Sequence, residues 1–211
     1  MNKKVIPVIA VLSLIFIILV GIIVGKKIKQ IMPSTEQQDL EAYFGIASDD
    51  EAAIELNYEL VEEKAMLRDG AVYLDFNYVH DYLNDRFYWD ENENILLYTT
   101  SSNVVKASAD RKDYYIGRKK DSKPYKIVLI DADKTFIALD YVAQYTNLTY
   151  ERFEQPNRIL LQTEWGTVKK APVKRKTQLR VKDSVKSNIL KELTKEDIVT
   201  KLEDGDDWAK V

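Results

Sequence analysis

The chain has no cysteine and a single histidine, His80. Without cysteine there are no disulfides, no thiolate metal sites and no thiol for a lipoprotein anchor. One imidazole without partners does not make a zinc site, so His80 reads as a satisfied or partly exposed helix residue. Glycines are few and form no phosphate-binding loop, and neither Ser101-Ser102 nor Ser187 lies beside a base or in a nucleophile elbow. The net charge is only −3 and no recognition motif accompanies the basic residues, so nucleic acid is not an expected partner. These absences leave no catalytic, cofactor-binding or metal-binding residue to assign, and no cofactor is expected.

What the chain does have is one long uncharged run, VIPVIAVLSLIFIILVGIIVG from Val5 to Gly25, bounded by Lys3-Lys4 and Lys26-Lys27. As a helix rising ~1.5 Å per residue, about twenty apolar residues match a hydrocarbon core of roughly 30 Å. The run is too long for a cleaved signal and ends on lysines rather than small residues, which favours an uncleaved anchor. Lysines on both flanks leave its orientation undecided by charge. The expectation is a tail and anchor over 1–30, with the lipid bilayer as partner, then a stalk over 31–52 containing a helix from Pro33-Ser34 to Gly45.

The next region, 53–168, contains one phrase twice. Residues 78–100, YVHDYLNDRFYWDENENILLYTT, and 141–163, YVAQYTNLTYERFEQPNRILLQT, share Tyr-Val, a second Tyr, an Asn and a closing Ile-Leu-Leu. Leu74 aligns with Ile137, Tyr78 with Tyr141, Tyr82 with Tyr145, Asn84 with Asn147 and Phe87 with Tyr150, whereas His80 aligns with Ala143. Each copy reads as hairpin, helix, hairpin, and in the first the opening turn is Asp69-Gly70 and the helix cap Asp75. Ahead of the first copy, Ala53 to Val61 alternates as one half-buried strand. Between the copies, SADRKDYYIGRKKDSKPYK reads as a connecting loop with one short strand.

From Ser34 to Asn103 acidic residues outnumber basic ones, whereas Lys169, Lys170, Lys174, Arg175, Lys176, Arg180 and Lys182 make a later stretch basic. That stretch reads first as a solvated linker and strand face, with attraction to an anionic wall polymer or phospholipid headgroups as the functional alternative. Residues 169–211 then read as short strands of a small barrel-like module, with Val181, Ile189, Leu193, Val199 and Leu202 as core candidates. The fold class expected is α+β: an N-terminal transmembrane helix, a two-repeat hairpin-helix-hairpin domain and a partial barrel.

The paired units YLDFNYVHDYLNDRFYWDENENILL and FIALDYVAQYTNLTYERFEQPNRILL resemble the copper amine oxidase N-terminal-like domain, with Trp89-Asp90 fitting the Trp-Asp turn of that family and Arg152-Phe153 departing from it. The resemblance implies a non-catalytic extracellular module. TQLRVKDSVKSNILKELTKEDIVTKLEDGDDWAKV resembles the first part of a bacterial SH3-like domain, matching at Leu179-Arg180, Ser187 to Leu190 and Trp208 to Val211 but lacking the final Gly-Tyr-Val strand. The order of segments is similar to the N-terminal region of clostridial-type surface proteins that continue into a glycoside hydrolase family 18 barrel, although the acidic catalytic motif of that barrel does not occur in this sequence.

Glycoside hydrolysis needs a proton donor with a raised pKa and a second group at the sugar centre. The carboxylates from Asp49 to Glu93 fall mostly on turns and solvent-facing positions, so none is assigned that role. Aromatic residues such as Tyr73, Tyr78, Tyr82, Tyr141, Tyr145 and Tyr150 could stack on sugars, but their alignment between copies favours a shared core. Tyr88, Trp89 and Trp208 are the residues named for contact with a glycan or peptide. The expected function is an anchored, extracellular, non-catalytic region that tethers a cell-wall or chitin-type glycosidase, with peptidoglycan or another wall glycan as partner. The alternative is a self-contained wall-binding or sensing module.

Overall fold

A computed structural model describes residues 16–28, 32–164, 166 and 168–211. Sheet dominates, and two expectations are corrected at once. The α+β class with an N-terminal transmembrane helix gives way to a mainly β chain with a few short helices. The single-pass membrane placement, with the bulk of the chain outside, is overturned as well: among the described residues no helix is long and apolar enough to cross a membrane. The helical stretch that is described, residues 16–28, reaches about 20 Å at ~1.5 Å per residue, short of the roughly 30 Å needed. The rest of the expected span, residues 5–15, lies outside the described residues.

The chain divides into two compact units, residues 39–167 and residues 1–38 with 168–211. The first opens on a helix, Leu40–Phe44, shorter than the sequence suggests. Asp39 caps its start and Gly45, at φ 64°, closes it in the left-handed conformation that glycine adopts without steric cost.

Strands β1 (Glu51–Leu56) and β2 (Glu59–Arg68) occupy the stretch expected as one continuous strand. Asn57 and Tyr58 both take positive φ and reverse the chain. Asn57 holds the turn from its side chain, donating to the Thr163 hydroxyl at 3.0 Å and accepting from the Thr163 amide at 2.9 Å. Side-chain alternation alone cannot show such a reversal, because the period continues across it. The next turn, Asp69-Gly70, has positive φ at both positions and joins β2 to β3 (Ala71–Asp75).

A short helix, Phe76–Tyr78, follows and widens into one π-helical turn, Val79–Leu83. Asp75 caps it, accepting from the Asn77 amide at 2.8 Å. The Asn84 amide donates to the Val79 carbonyl five residues back, at 2.7 Å. Strands β4 (Phe87–Asp90), β5 (Ile95–Thr99), β6 (Val104–Ser108), β7 (Asp113–Ile116) and β8 (Lys119–Ser122) then form a five-stranded antiparallel sheet in chain order. The supposed connecting loop thus supplies two strands, β7 and β8, turning at Gly117. A Cβ there would lie 2.8 Å from the Asn103 side chain at φ 59°, so a larger residue would be strained.

The second phrase, with the strands just before it, supplies β9 (Val128–Asp131), β10 (Lys134–Ala138), the helix Leu139–Tyr145, β11 (Thr149–Phe153) and β12 (Arg158–Gln162). These strands join β1, β2 and β3 in a seven-stranded sheet ordered β11-β12-β1-β2-β3-β10-β9, antiparallel except where β1 meets β12. The expected two-repeat hairpin-helix-hairpin domain is therefore corrected: the phrases do not fold as two equivalent units. Their closing hairpins, β4–β5 and β11–β12, go to different sheets, because each finds different strands to pair with. Among the strand pairings of the described residues, aligned positions face each other at the β3–β10 ladder, where Leu74 pairs with Ile137. Leu74, Val79, Phe87, Ile137, Leu139, Tyr141 and Ile159 are among the core residues sealed from solvent. At about 25 cal/mol per Å², side chains of this size each contribute roughly 1.5–3 kcal/mol.

The other unit does not close into the expected SH3-like barrel. Its described residues hold three separate two-stranded ladders: β13 (Lys169–Pro172) with β16 (Ile198–Lys201), β14 (Thr177–Arg180) with β15 (Ile189–Leu193), and β17 (Glu203–Asp204) with β18 (Ala209–Lys210). Of its five core candidates only Ile189 and Leu193 are buried, whereas Val181, Val199 and Leu202 are half-buried. Polar contacts supply much of its order. Gln37 bridges to Ile189, and the Arg180 guanidinium donates to the Ser34 carbonyl at 3.0 Å.

Candidate functional site: an acidic, aromatic groove

A groove of about 890 Å³ lies within the 39–167 unit. Its walls are β2, the segment Asp75–Tyr82, the end of β4 and the β9–β10 hairpin. Glu62, Glu63, Lys64, Ala65 and Met66 of β2 line it, and Trp89 and Glu91 approach from β4 and its turn. Carboxylates outnumber the three cations, Lys64, Arg68 and Lys134.

Those cations are already engaged. Arg68 lies 3.7 Å from Asp131, Lys134 lies 3.8 Å from Asp75, and Lys64 donates to the Glu62 carbonyl at 2.7 Å. Among the described residues, Glu62, Glu63 and Glu91 form no ion pair. The groove therefore presents negative potential to solvent, and low-dielectric walls concentrate it.

Two tyrosines of the helical segment give the groove its aromatic part. Tyr82 is 63% exposed, and its ring lies 5.3 Å from that of Tyr78, tilted by 32°. Tyr78 is only 3% exposed, and its hydroxyl has no hydrogen-bond partner among the described residues. Burial first, then the nearby Glu63 carboxylate, push its pKa up to about 12. A buried hydroxyl without a partner costs about 1–3 kcal/mol, because it has given up water for nothing.

The three residues named from sequence are separated. Trp89 is half-buried and lines the groove. Tyr88, its neighbour on β4, alternates to the other face and is 61% exposed. Trp208 belongs to the other unit, in a cavity of about 560 Å³ with Lys176, Arg180 and Glu192. The sequence places Tyr78 and Tyr82 among the core aromatics, which describes Tyr78 but misplaces Tyr82. The signal it lacks is the π-helical turn, which has no distinctive composition.

A further cleft of about 520 Å³ is formed by Arg86, Tyr98, Thr100, Gln144, Tyr145 and neighbours. There the Arg86 guanidinium stacks 5.0 Å from the Tyr98 ring and donates to the Thr99 carbonyl. Both contacts are internal to the fold. His80 sits on the π-helical turn with Nδ1 2.8 Å from Asp81 Oδ1 and its ring 5.8 Å from that of Phe76.

Residues 55–161, just over half the chain, match the copper amine oxidase N-terminal domain, and the chain belongs to that family. No curated protein and no solved structure matches it. The family match covers nearly all of both phrases and stops before the C-terminal ladders. Copper itself does not fit the donors present: among the described residues no group of three or more His, Cys, Asp or Glu side chains is arranged to hold a metal ion.

Proposed function

We propose that the chain is a non-catalytic binding module that positions a cell-wall or chitin-type glycosidase of family 18 on its glycan. The observation that carries this reading is the groove in which exposed Tyr82 and half-buried Trp89 stand beside Glu62, Glu63 and Glu91. Sugars stack their apolar faces on aromatic rings and bond their hydroxyls to carboxylates, and this groove offers both. The choice of enzyme rests on the sequence resemblance to the region ahead of a family 18 barrel, and the module itself on the family match over residues 55–161. Positioning raises the local concentration of glycan at an enzyme without any new contact at the scissile bond.

Retention of the full chain on insoluble chitin and on peptidoglycan sacculi tests glycan binding, and absence of retention on both at low salt removes the proposal. Fusion to a family 18 glycosidase tests the positioning role. Turnover of insoluble glycan should rise while turnover of a soluble oligosaccharide stays unchanged. An equal rise on both substrates would mean that the effect is not positioning.

A further inference from the structure

We infer that the groove selects glycan carrying free amines, that is, N-deacetylated amino sugar units, over the fully acetylated polymer. The inference rests on the glycan-binding reading above and names the chemistry that the groove prefers. Two features point to the amine, and a third points to a ligand at this groove.

The first is charge. Lys64, Arg68 and Lys134 are occupied by protein acceptors, while Glu62, Glu63 and Glu91 are without ion pairs among the described residues. An ammonium group brought here meets carboxylates that lose less hydration than an enclosed pair would, because the groove is open to solvent. The second is the aromatic part. An ammonium within ~6 Å of a tyrosine or tryptophan face is attracted by the ring quadrupole, and Tyr82 stands mostly in solvent where such a group can reach it.

The third is the Tyr78 hydroxyl, sealed at the groove with no partner among the described residues. Glu63 and Tyr82, which also line the groove, are the groups that bear on its ionisation after burial. The Tyr82 ring packs against that of Tyr78 and is otherwise exposed. On this inference a ligand that displaces the Tyr82 ring from Tyr78 reaches the hydroxyl, which then donates to a sugar oxygen. Ligand binding thereby satisfies a group that the free protein leaves unsatisfied.

The test is equilibrium binding of the full chain to three soluble probes of matched length: a glucosamine oligomer, an N-acetylglucosamine oligomer and oligolysine. The glucosamine oligomer should bind at least about tenfold more tightly than the acetylated one, a gap of ~1.4 kcal/mol. Glu62→Gln with Glu63→Gln should remove that preference, and Tyr82→Ala should weaken binding of the glucosamine oligomer about tenfold. The control is Glu151→Gln with Glu154→Gln, exposed carboxylates on and beside β11 outside the groove, which should leave the preference unchanged. Thermal unfolding of each variant checks that the fold persists.

Equal binding of the two glycans overturns the amine preference and leaves the glycan-binding reading intact. Binding of neither glycan overturns both. Oligolysine bound more tightly than the glucosamine oligomer assigns the groove to a basic peptide and overturns the inference. A loss of equal size in the control pair shows attraction by net charge alone and overturns it too.

Discussion

The two written phrases place their second tyrosine differently. Tyr145, in the second copy, is packed against Phe87, Tyr98 and Tyr141, with ring centroids 6.2, 4.6 and 5.2 Å away. Tyr82, its equivalent in the first, packs on Tyr78 and stands largely in solvent. A reciprocal arrangement would set Tyr82 against Tyr150 and Gln162, the residues aligned with Phe87 and Tyr98. Both are committed elsewhere: the Tyr150 hydroxyl donates to Asp140, and the Gln162 amide donates to the Tyr58 hydroxyl at 2.6 Å. A tyrosine in place of Phe87 and a glutamine in place of Tyr98, together with the π-helical turn that carries Tyr82, withdraw the cover that the first hairpin gives Tyr145.

The largest break in the comparison should come from removing the cover itself. Phe87 is fully buried, and Phe87→Ala should cost about 3–5 kcal/mol, read as a lower denaturant midpoint at unchanged slope. Next, Tyr145→Ala should cost about 2–3 kcal/mol because it removes several ring contacts, whereas Tyr82→Ala should change stability by no more than about 0.5 kcal/mol. Equal losses at the two tyrosines would mean that the copies are energetically equivalent.

How much of this is legible in the sequence depends on whether the signal is local. The Asp69-Gly70 turn and the Asp75 cap rest on the chemistry of one or two residues, and both are present. The Asn57-Tyr58 reversal is hidden because alternation continues through it, and its support comes from Thr163, far along the chain. Hydropathy suggests a membrane span where the described helix is too short for one. The C-terminal strands are visible as alternating residues, but which ladders they form is set by pairing, and a handful of alternating apolar residues does not make a barrel core. At the groove, Trp89 announces itself as a bulky aromatic beside a polar turn. Tyr82 does not, since alignment between copies shows a shared position without showing a shared environment.

A smaller effect concerns alkali. Burial raises the pKa of Tyr73, Tyr78, Tyr114, Tyr125, Tyr141, Tyr145 and Tyr150 above the usual 10.0, with Tyr78 and Tyr150 reaching about 12. Above the ordinary tyrosine value the unfolded chain has released protons that the folded chain retains. The stability these groups contribute is therefore complete below about pH 10 and falls as pH rises through the folded values. For Tyr78 the loss is on the order of 2 kcal/mol across that window. Tyrosinate absorbance followed with far-UV circular dichroism should show ionisation of the buried phenols coinciding with unfolding. Ionisation complete at about pH 10 with the fold intact would contradict their burial.

The smallest effect is also the one that separates the copies most directly. The Tyr78 hydroxyl is without a partner among the described residues, whereas the Tyr150 hydroxyl of the second copy donates to Asp140. Deleting one oxygen from each should then move stability in opposite directions. Tyr78→Phe removes a desolvated group that bonds to nothing and should stabilise the free protein by about 1 kcal/mol, while Tyr150→Phe breaks the bond to Asp140 and should cost about 1 kcal/mol. Urea unfolding at neutral pH reads both, and the alkaline fall should be shallower in Tyr78→Phe. A destabilised Tyr78→Phe would mean that the hydroxyl has a partner in solution, and the groove would then lack the unsatisfied group that a ligand is expected to complete.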